Sequence, residues 1–187
     1  MMTRGFKATL LAATLMAGSG IALAEESFTG WWFSFERHKE VKPVDNPTYK
    51  EECGACHLAY QPGLLPARSW EKLLTEDALG DHFGDDASLD ADTLKEIRDY
   101  ALANAADKSF YKRSRKIALA TEKGDAPLRI TEVRYIKRKH HEIPEKMVKG
   151  NKDVKSLSHC NKCHTKTDKG VFDSDTVSIP NYPDWKD

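Results

Sequence analysis

The 187-residue chain is polar: 31% of its residues are charged and its mean hydropathy is −0.62. Its 29 basic and 29 acidic residues balance to a net charge of zero, and no nucleic-acid partner is expected. A sequence this polar buries only a modest apolar core, enough for one domain or two small ones.

The first two dozen residues have the pattern of an export signal. Arg4 and Lys7 make a positive start, Ala8 to Ala17 is an uncharged apolar run, and Ala22-Leu23-Ala24 is a small-x-small cleavage site. The run is shorter than the roughly 20 residues a spanning helix needs. Cleavage near Ala24 is therefore expected, which puts the mature chain outside the cytoplasm with no integral membrane segment. Residues 25–45 follow as an aromatic and charged lead-in containing Trp31, Trp32, Phe33 and Phe35.

Asn46-Pro47 reads as an N-cap followed by proline at the first helical position, opening a helix that runs into Cys53. Gln61 to Ala67, with two prolines and a glycine, is a loop. Ser69 can cap a second helix, with Trp70, Leu73 and Leu74 on one face and Gly80 near its end. His82-Phe83-Gly84 follows as a turn. A third helix is expected from about Asp90 to Ala106, burying Leu94, Ile97, Ala101 and Ala105. A basic stretch from Lys108 to Lys116 leads into Ile117, and Gly124 to Pro127 breaks the pattern. A fourth helix from near Thr131 aligns Val133, Ile136, His140 and Ile143 until Pro144 stops it. Ser156 or Ser158 is a candidate cap for a short helix carrying the second cysteine pair, and the tail to Trp185 reads as wrapping. The fold class is thus mainly α, with extended loops and wrapping tails.

All four cysteines lie in two Cys-x-x-Cys pairs, each followed directly by histidine: Cys53-Gly54-Ala55-Cys56-His57 and Cys160-Asn161-Lys162-Cys163-His164. Disulfides, a dithiol or a zinc site are the other readings of such pairs. The histidine decides, because Cys-x-x-Cys-His is the c-type haem attachment pattern. The two thiols add to the porphyrin vinyl groups and the histidine reaches the iron. Two haems c are therefore expected, bound through Cys53 and Cys56 and through Cys160 and Cys163, with His57 and His164 as iron ligands.

The sixth iron position is usually filled by methionine or histidine. Beyond the signal the sole methionine is Met147, so two His/Met haems are excluded. His82, in a turn between two helices with apolar faces, is the better-placed second ligand for the first iron, with His38 as its rival. His140 shares the apolar face of the fourth helix, whereas His141 falls among Arg134, Lys137 and Arg138; His140 is therefore the candidate for the second iron. His159 directly precedes Cys160 and is badly placed for that haem. Two six-coordinate irons leave no open site, which favours an electron shuttle over an enzyme. The alternative is a haem enzyme or gas-reacting haem protein with one displaceable ligand. Histidine in place of axial methionine lowers the expected potentials.

These motifs resemble the bacterial dihaem cytochrome c family. The likeness runs through Pro43 to Trp70, His82-Phe83-Gly84 with Ala87 to Leu89, Arg129-Ile130-Thr131, Lys139-His140, the second Cys-Asn-Lys-Cys-His and the segment from Gly170 to Pro180. The resemblance implies bis-histidine haems with His82 and His140 as second ligands. It implies a first haem domain like a small helical cytochrome c, taken as residues 25–115, and a distinct second haem domain at 116–187, after a signal at 1–24. It also implies electron delivery to another redox protein, a membrane b-type cytochrome or a small oxygen-binding haem protein.

Charge also divides between the two haem motifs, after Asp107. Glu25 to Asp107 holds 8 Lys and Arg against 18 Asp and Glu, a net of −10, while Lys108 to Asp187 holds 19 against 11, a net of +8. An acidic surface is expected around the first haem. A basic one, using Lys112, Arg113, Arg115, Lys116, Lys137, Arg138 and Lys139, is expected around the second.

Overall fold

The computed structural model describes residues 40–121 and 124–185. The signal segment, the aromatic lead-in as far as residue 39, and His38 with it, lie outside the described residues. Among the described residues seven α-helices follow one another: α1 Pro47–Gly54, α2 Ala67–Leu73, α3 Glu76–Gly80, α4 Ala91–Ala103, α5 Lys112–Ala120, α6 Arg134–His140 and α7 Glu145–Val148. Among the described residues there is no strand, and no helix is long and apolar enough to cross a membrane.

α1 begins where its cap dictates. The Asn46 side chain accepts a 2.6 Å hydrogen bond from the Tyr49 amide, and Pro47 supplies the pre-set first turn. Tyr49 is the buried anchor of α1. Its ring meets Trp70 at 6.4 Å and Tyr100 at 5.1 Å between centroids, and its hydroxyl donates to the Tyr60 carbonyl at 2.7 Å. The first cysteine pair is therefore fixed through α1 to both α2 and α4.

The expected second helix is two helices. Pro66, not Ser69, holds the N-cap position of α2, and Ser69 is buried inside its first turn. The chain breaks at Leu74 because Thr75 caps a new helix, accepting from the Ala78 amide at 3.1 Å. Arg98 of α4 occupies the carbonyls freed at this break, donating to Glu71 and Leu74 at 3.1 and 2.8 Å. α4 starts at a two-bond cap, with the Asp90 carboxylate accepting from the amides of Asp92 and Thr93 at 3.1 and 3.0 Å. It buries Leu94, Ile97 and Ala101.

The basic stretch after Ser109 is itself a helix, α5, which buries Ser114 and Ile117. α5 lies so close to the loop before α2 that a Cβ on Gly63 would sit 2.5 Å from Ser114 Oγ and 2.9 Å from Val41 Cγ1. α6 is shorter than the apolar periodicity suggests. A 3-10 turn, Ile130–Glu132, precedes it, and it ends at His140, so Ile143 lies beyond it. Pro144 both ends that segment and stands at the N-cap of α7.

The second cysteine pair is not on a capped α-helix. Cys160–Lys162 is a single 3-10 turn entered from His159. The chain beyond it is held by isolated bridges pairing His164 with Val177, Lys166 with Val171 and Ile179 with Tyr182. Gly170 is required here. It has φ +69°, its carbonyl accepts from the Val41 amide at 3.1 Å, and any side chain on it would collide with the Val41 carbonyl. The buried core joins Val41, Leu64, Leu65 and Ile97 to Ile117, Val133 and Tyr135.

Candidate functional site

Two pairs of imidazoles face each other. His57, just past α1, stands 6.3 Å from His82 between ring centroids, with the planes 29° apart. His140, the last residue of α6, stands 6.0 Å from His164, with the planes 73° apart. A metal–imidazole bond is about 2 Å and the ring centroid lies about 1.1 Å behind the bonding nitrogen, so two imidazoles on opposite sides of one metal place their centroids about 6 Å apart. Both pairs have that spacing.

The nitrogens of each pair divide in the same way. His57 Nδ1 lies 2.7 Å from the Leu58 carbonyl, and His140 Nδ1 lies 2.8 Å from the Ile136 carbonyl. A carbonyl only accepts, so in the neutral ring Nδ1 carries the proton and Nε2 keeps a free lone pair. In the opposing rings, His82 Nδ1 and His164 Nδ1 are buried with no partner. Buried polar atoms are ordinarily satisfied, so an orphan in each pair marks a place built around something more than protein.

The electrostatics favour the neutral form of His164 and His82, as a metal ligand requires. Burial, then His140 and Arg113, push the His164 imidazole down to about 4. Burial, then His57 and Arg129, hold His82 below the usual histidine range. Burial likewise pushes the Cys53 thiol up to about 12 and the Cys160 thiol up to about 11. None of the four cysteines is joined in a disulfide, and among the described residues no three His, Cys, Asp or Glu side chains converge as a zinc site requires. A Cys-x-x-Cys pair directly preceding one ring of each facing pair suits covalent attachment to a planar iron cofactor.

A cavity of about 300 Å³ adjoins the second pair. It is lined by His140, His164, Cys160 and Cys163 together with apolar side chains such as Ile143 and Val177, at the lower end of ligand-sized volumes. Met147, His159 and Trp185 also reach it. The His159 Nδ1 is taken by the Val154 carbonyl at 2.7 Å. His141 is exposed and lies 3.6 Å from the Glu142 carboxylate.

Several residues around the two pairs carry no signal in motif spacing. Arg129, from the second half of the chain, lies 3.9 Å over the Phe83 ring, beside His82. Phe83 itself is held in the left-handed region at φ 61°. The Tyr60 ring is 5.0 Å from His57, and its hydroxyl donates to the Ser158 carbonyl at 2.5 Å, next to the second attachment motif. Phe172 packs 5.3 Å from His164. Arg113, expected on the outer basic surface, is instead turned inward. It forms a fork on Glu40 at 3.2 and 3.3 Å and also reaches Asp173 and the Tyr135 hydroxyl, each at 3.3 Å. Glu40 completes the knot by accepting from the Phe172 amide at 2.7 Å. No local pattern could reveal this contact, because Glu40 and Phe172 are joined only by the fold.

Comparison with known proteins gives a consistent result. The pattern of the family described as "Dihaem cytochrome c" matches residues 49–172. A dihaem cytochrome c structure from Shewanella baltica is 38% identical, with a TM-score of 0.62, covering 76% of this chain and 99% of its own. A dihaem cytochrome c from Rhodobacter sphaeroides is 41% identical, also at a TM-score of 0.62, covering 71% of this chain and 100% of its own. No curated protein sequence matches.

Proposed function

Because this chain belongs to the dihaem cytochrome c family and carries its two haems c, we propose that it is a periplasmic electron carrier whose irons are each held between two histidines. The observation that carries this reading is the pair of facing imidazoles at 6.3 and 6.0 Å, each with one ring from a Cys-x-x-Cys-His motif. Cys53 and Cys56 would bind the first haem, with His57 and His82 as its axial pair. Cys160 and Cys163 would bind the second, with His164 and His140. The first set lies within residues 25–115 and the second within 116–187, the proposed division of the mature chain.

The haem iron supplies a one-electron couple, and the protein supplies everything that sets how it is used. The carbonyls of Leu58 and Ile136 fix the tautomers of His57 and His140 and leave each Nε2 lone pair free for iron. Burial keeps His164 neutral at physiological pH, with a pKa of about 4, so its lone pair is not lost to a proton. Phe172 on one side of His164, and Ile143 and Val177 in the cavity wall, keep water from the second site. Four histidine ligands leave no open coordination position, so the chain is read as a carrier and not an enzyme. Histidine in place of methionine favours low potentials. Its partners are proposed to be redox proteins, a membrane b-type cytochrome or a small oxygen-binding haem protein, and the signal at 1–24 exports the chain.

Mass spectrometry of the denatured mature protein tests the attachment, and optical spectra test the ligation. The expected result is the added mass of two haems, no methionine-to-iron band when oxidised, and little carbon monoxide bound when reduced. One haem, haem extractable by acid acetone, or stoichiometric carbon monoxide binding would overturn the reading.

A further inference from the structure

α5 and α6 carry positive charge of which the fold uses only a part. α5 contains Lys112, Arg113, Arg115 and Lys116, and α6 contains Arg134, Lys137, Arg138 and Lys139; neither helix contains an acid. In α5 this arrangement works against the helix itself. Lys112 and Lys116 are like charges at i and i+4, and the cations at the start of α5 face the positive end of its dipole. Arg113 is neutralised by Glu40 and Asp173. Lys112, Arg115, Lys116, Lys137 and Lys139 are exposed and form no ion pair among the described residues. Local rules broken without a structural return are the mark of a surface kept for something else.

The same region exposes apolar side chains. Lys112, Arg115, Lys116 and Leu119 fall at i, i+3, i+4 and i+7, which is one face of α5, and Leu119 is 79% exposed. Phe110, two residues before the helix, is 83% exposed. Apolar contacts among charged residues are the composition of a docking surface. Lys116 and Lys139 also line the cavity that holds His140 and His164, so this surface opens onto the second pair.

We infer that the outer faces of α5 and α6, with Phe110 and Leu119 as apolar contacts, dock a small redox protein whose own cofactor is ringed by carboxylates. The inference rests on the proposed second haem only for its redox purpose; the docking itself follows from charge and exposure. Five unpaired cations select a carboxylate-rich partner, steer it over roughly the 8 Å screening length at physiological salt, and orient it over the cavity. The apolar pair supplies contact that salt does not screen.

The test is calorimetric titration of the mature two-haem protein with oxidised plant-type ferredoxin, a small acidic iron–sulfur protein, over a salt series. The expected result is salt-sensitive binding that weakens at least about tenfold in the triple variant Lys112→Glu, Arg115→Glu, Lys116→Glu. Phe110→Ser with Leu119→Ser should weaken binding while leaving its salt slope unchanged. The control triple Lys146→Glu, Lys149→Glu, Lys152→Glu carries the same change in charge and should bind within about twofold of wild type. Equal weakening by the control would reduce the effect to net charge and overturn the inference. So would a salt-sensitive dimer of the protein alone, seen by sedimentation and lost in the first triple variant, which would assign the face to a second copy. Tight binding to phosphatidylglycerol vesicles without ferredoxin binding would assign it to a membrane. Haem mass and carbon monoxide binding, recorded on the same samples, report separately on the proposed second haem.

Discussion

The two histidine pairs have nearly the same span but opposite construction. The first is assembled from helix ends and a tight turn: His57 follows the capped helix α1, and His82 sits in the turn after α3, both toward the surface. The second is assembled from tertiary contacts. His164 follows a 3-10 turn, is bridged to Val177 in the tail and meets the end of α6 across a cavity. The rings differ correspondingly, standing 29° apart in the first pair and 73° apart in the second. The two pairs close over almost equal lengths of chain, 25 residues from His57 to His82 and 24 from His140 to His164, so they differ in what holds the rings and not in sequence separation. The second site is the drier of the two, with His164 pushed to about 4 by burial first of all.

The largest effects are expected from breaking each pair separately. An imidazole donates π density perpendicular to its plane. Near-parallel rings act on the same iron d orbital and split the upper pair; near-perpendicular rings act on both and leave them close in energy. Low-temperature electron paramagnetic resonance of the oxidised protein should therefore contain a three-line rhombic signal from the first site and a single, strongly anisotropic low-field feature from the second. His82→Ala should remove the rhombic signal and open that iron to carbon monoxide on reduction; His140→Ala should remove the anisotropic feature and open the other. Two identical rhombic signals in the parent protein would erase the contrast between the pairs.

The first region was readable where neighbours in sequence set its structure. Asn46-Pro47 names the start of α1, Asp90 the start of α4, and the spacing of Leu94, Ile97 and Ala101 its buried face. Each of these is a signal between residues a few positions apart. Ser69 misled because a good capping residue sat one turn inside a helix begun by Pro66, while the less conspicuous Thr75 capped the next. α5 was read only as a basic stretch, since its two buried positions, Ser114 and Ile117, give little amphipathic contrast. In the second region the motif names Cys160, Cys163 and His164, and the apolar periodicity distinguishes His140 from His141. The shell around them is not legible: Glu40 contacts Arg113 and Phe172 across separations of 73 and 132 residues.

The comparison sharpens on two glycines, both with positive φ. Gly84, in the His82 turn, has φ +106° and open space where a Cβ would point; Gly170 has φ +69° and the backbone of Val41 in the way. Gly84→Ala should cost only the strain of its backbone, about 1 kcal/mol. Gly170→Ala should cost that strain and the displacement of the Val41 segment as well, about 3 kcal/mol or more. Denaturant unfolding of the two-haem proteins gives both values. Equal losses would mean that the Val41–Gly170 contact yields freely and that the tail is less firmly docked than its hydrogen bond implies.

The smallest expected effect concerns Glu40, which ties the start of the described chain to the second region. Burial raises its pKa, but the Phe172 amide and then the Arg113 guanidinium, with Asp173 alongside, outweigh burial and hold the carboxyl below its usual 4.5. A carboxyl whose folded pKa is depressed binds its proton more readily in the unfolded chain. Its stabilising contribution is therefore complete above about pH 4.5 and declines as pH falls through the folded value. Glu40→Gln keeps the shape but removes the charge facing Arg113, leaving that guanidinium with Asp173 and the Tyr135 hydroxyl. At pH 7 the substitution should lower stability by about 1–2 kcal/mol, the scale of a hydrogen bond to a charged group. Toward pH 3 the difference between variant and parent should shrink, because the parent then loses the same charge by protonation. Chemical unfolding at a series of pH values measures that difference directly. A gap that stays constant down to pH 3 would mean that Glu40 acts through packing and its bond to Phe172, and that its ion pair with Arg113 contributes nothing to holding the two regions together.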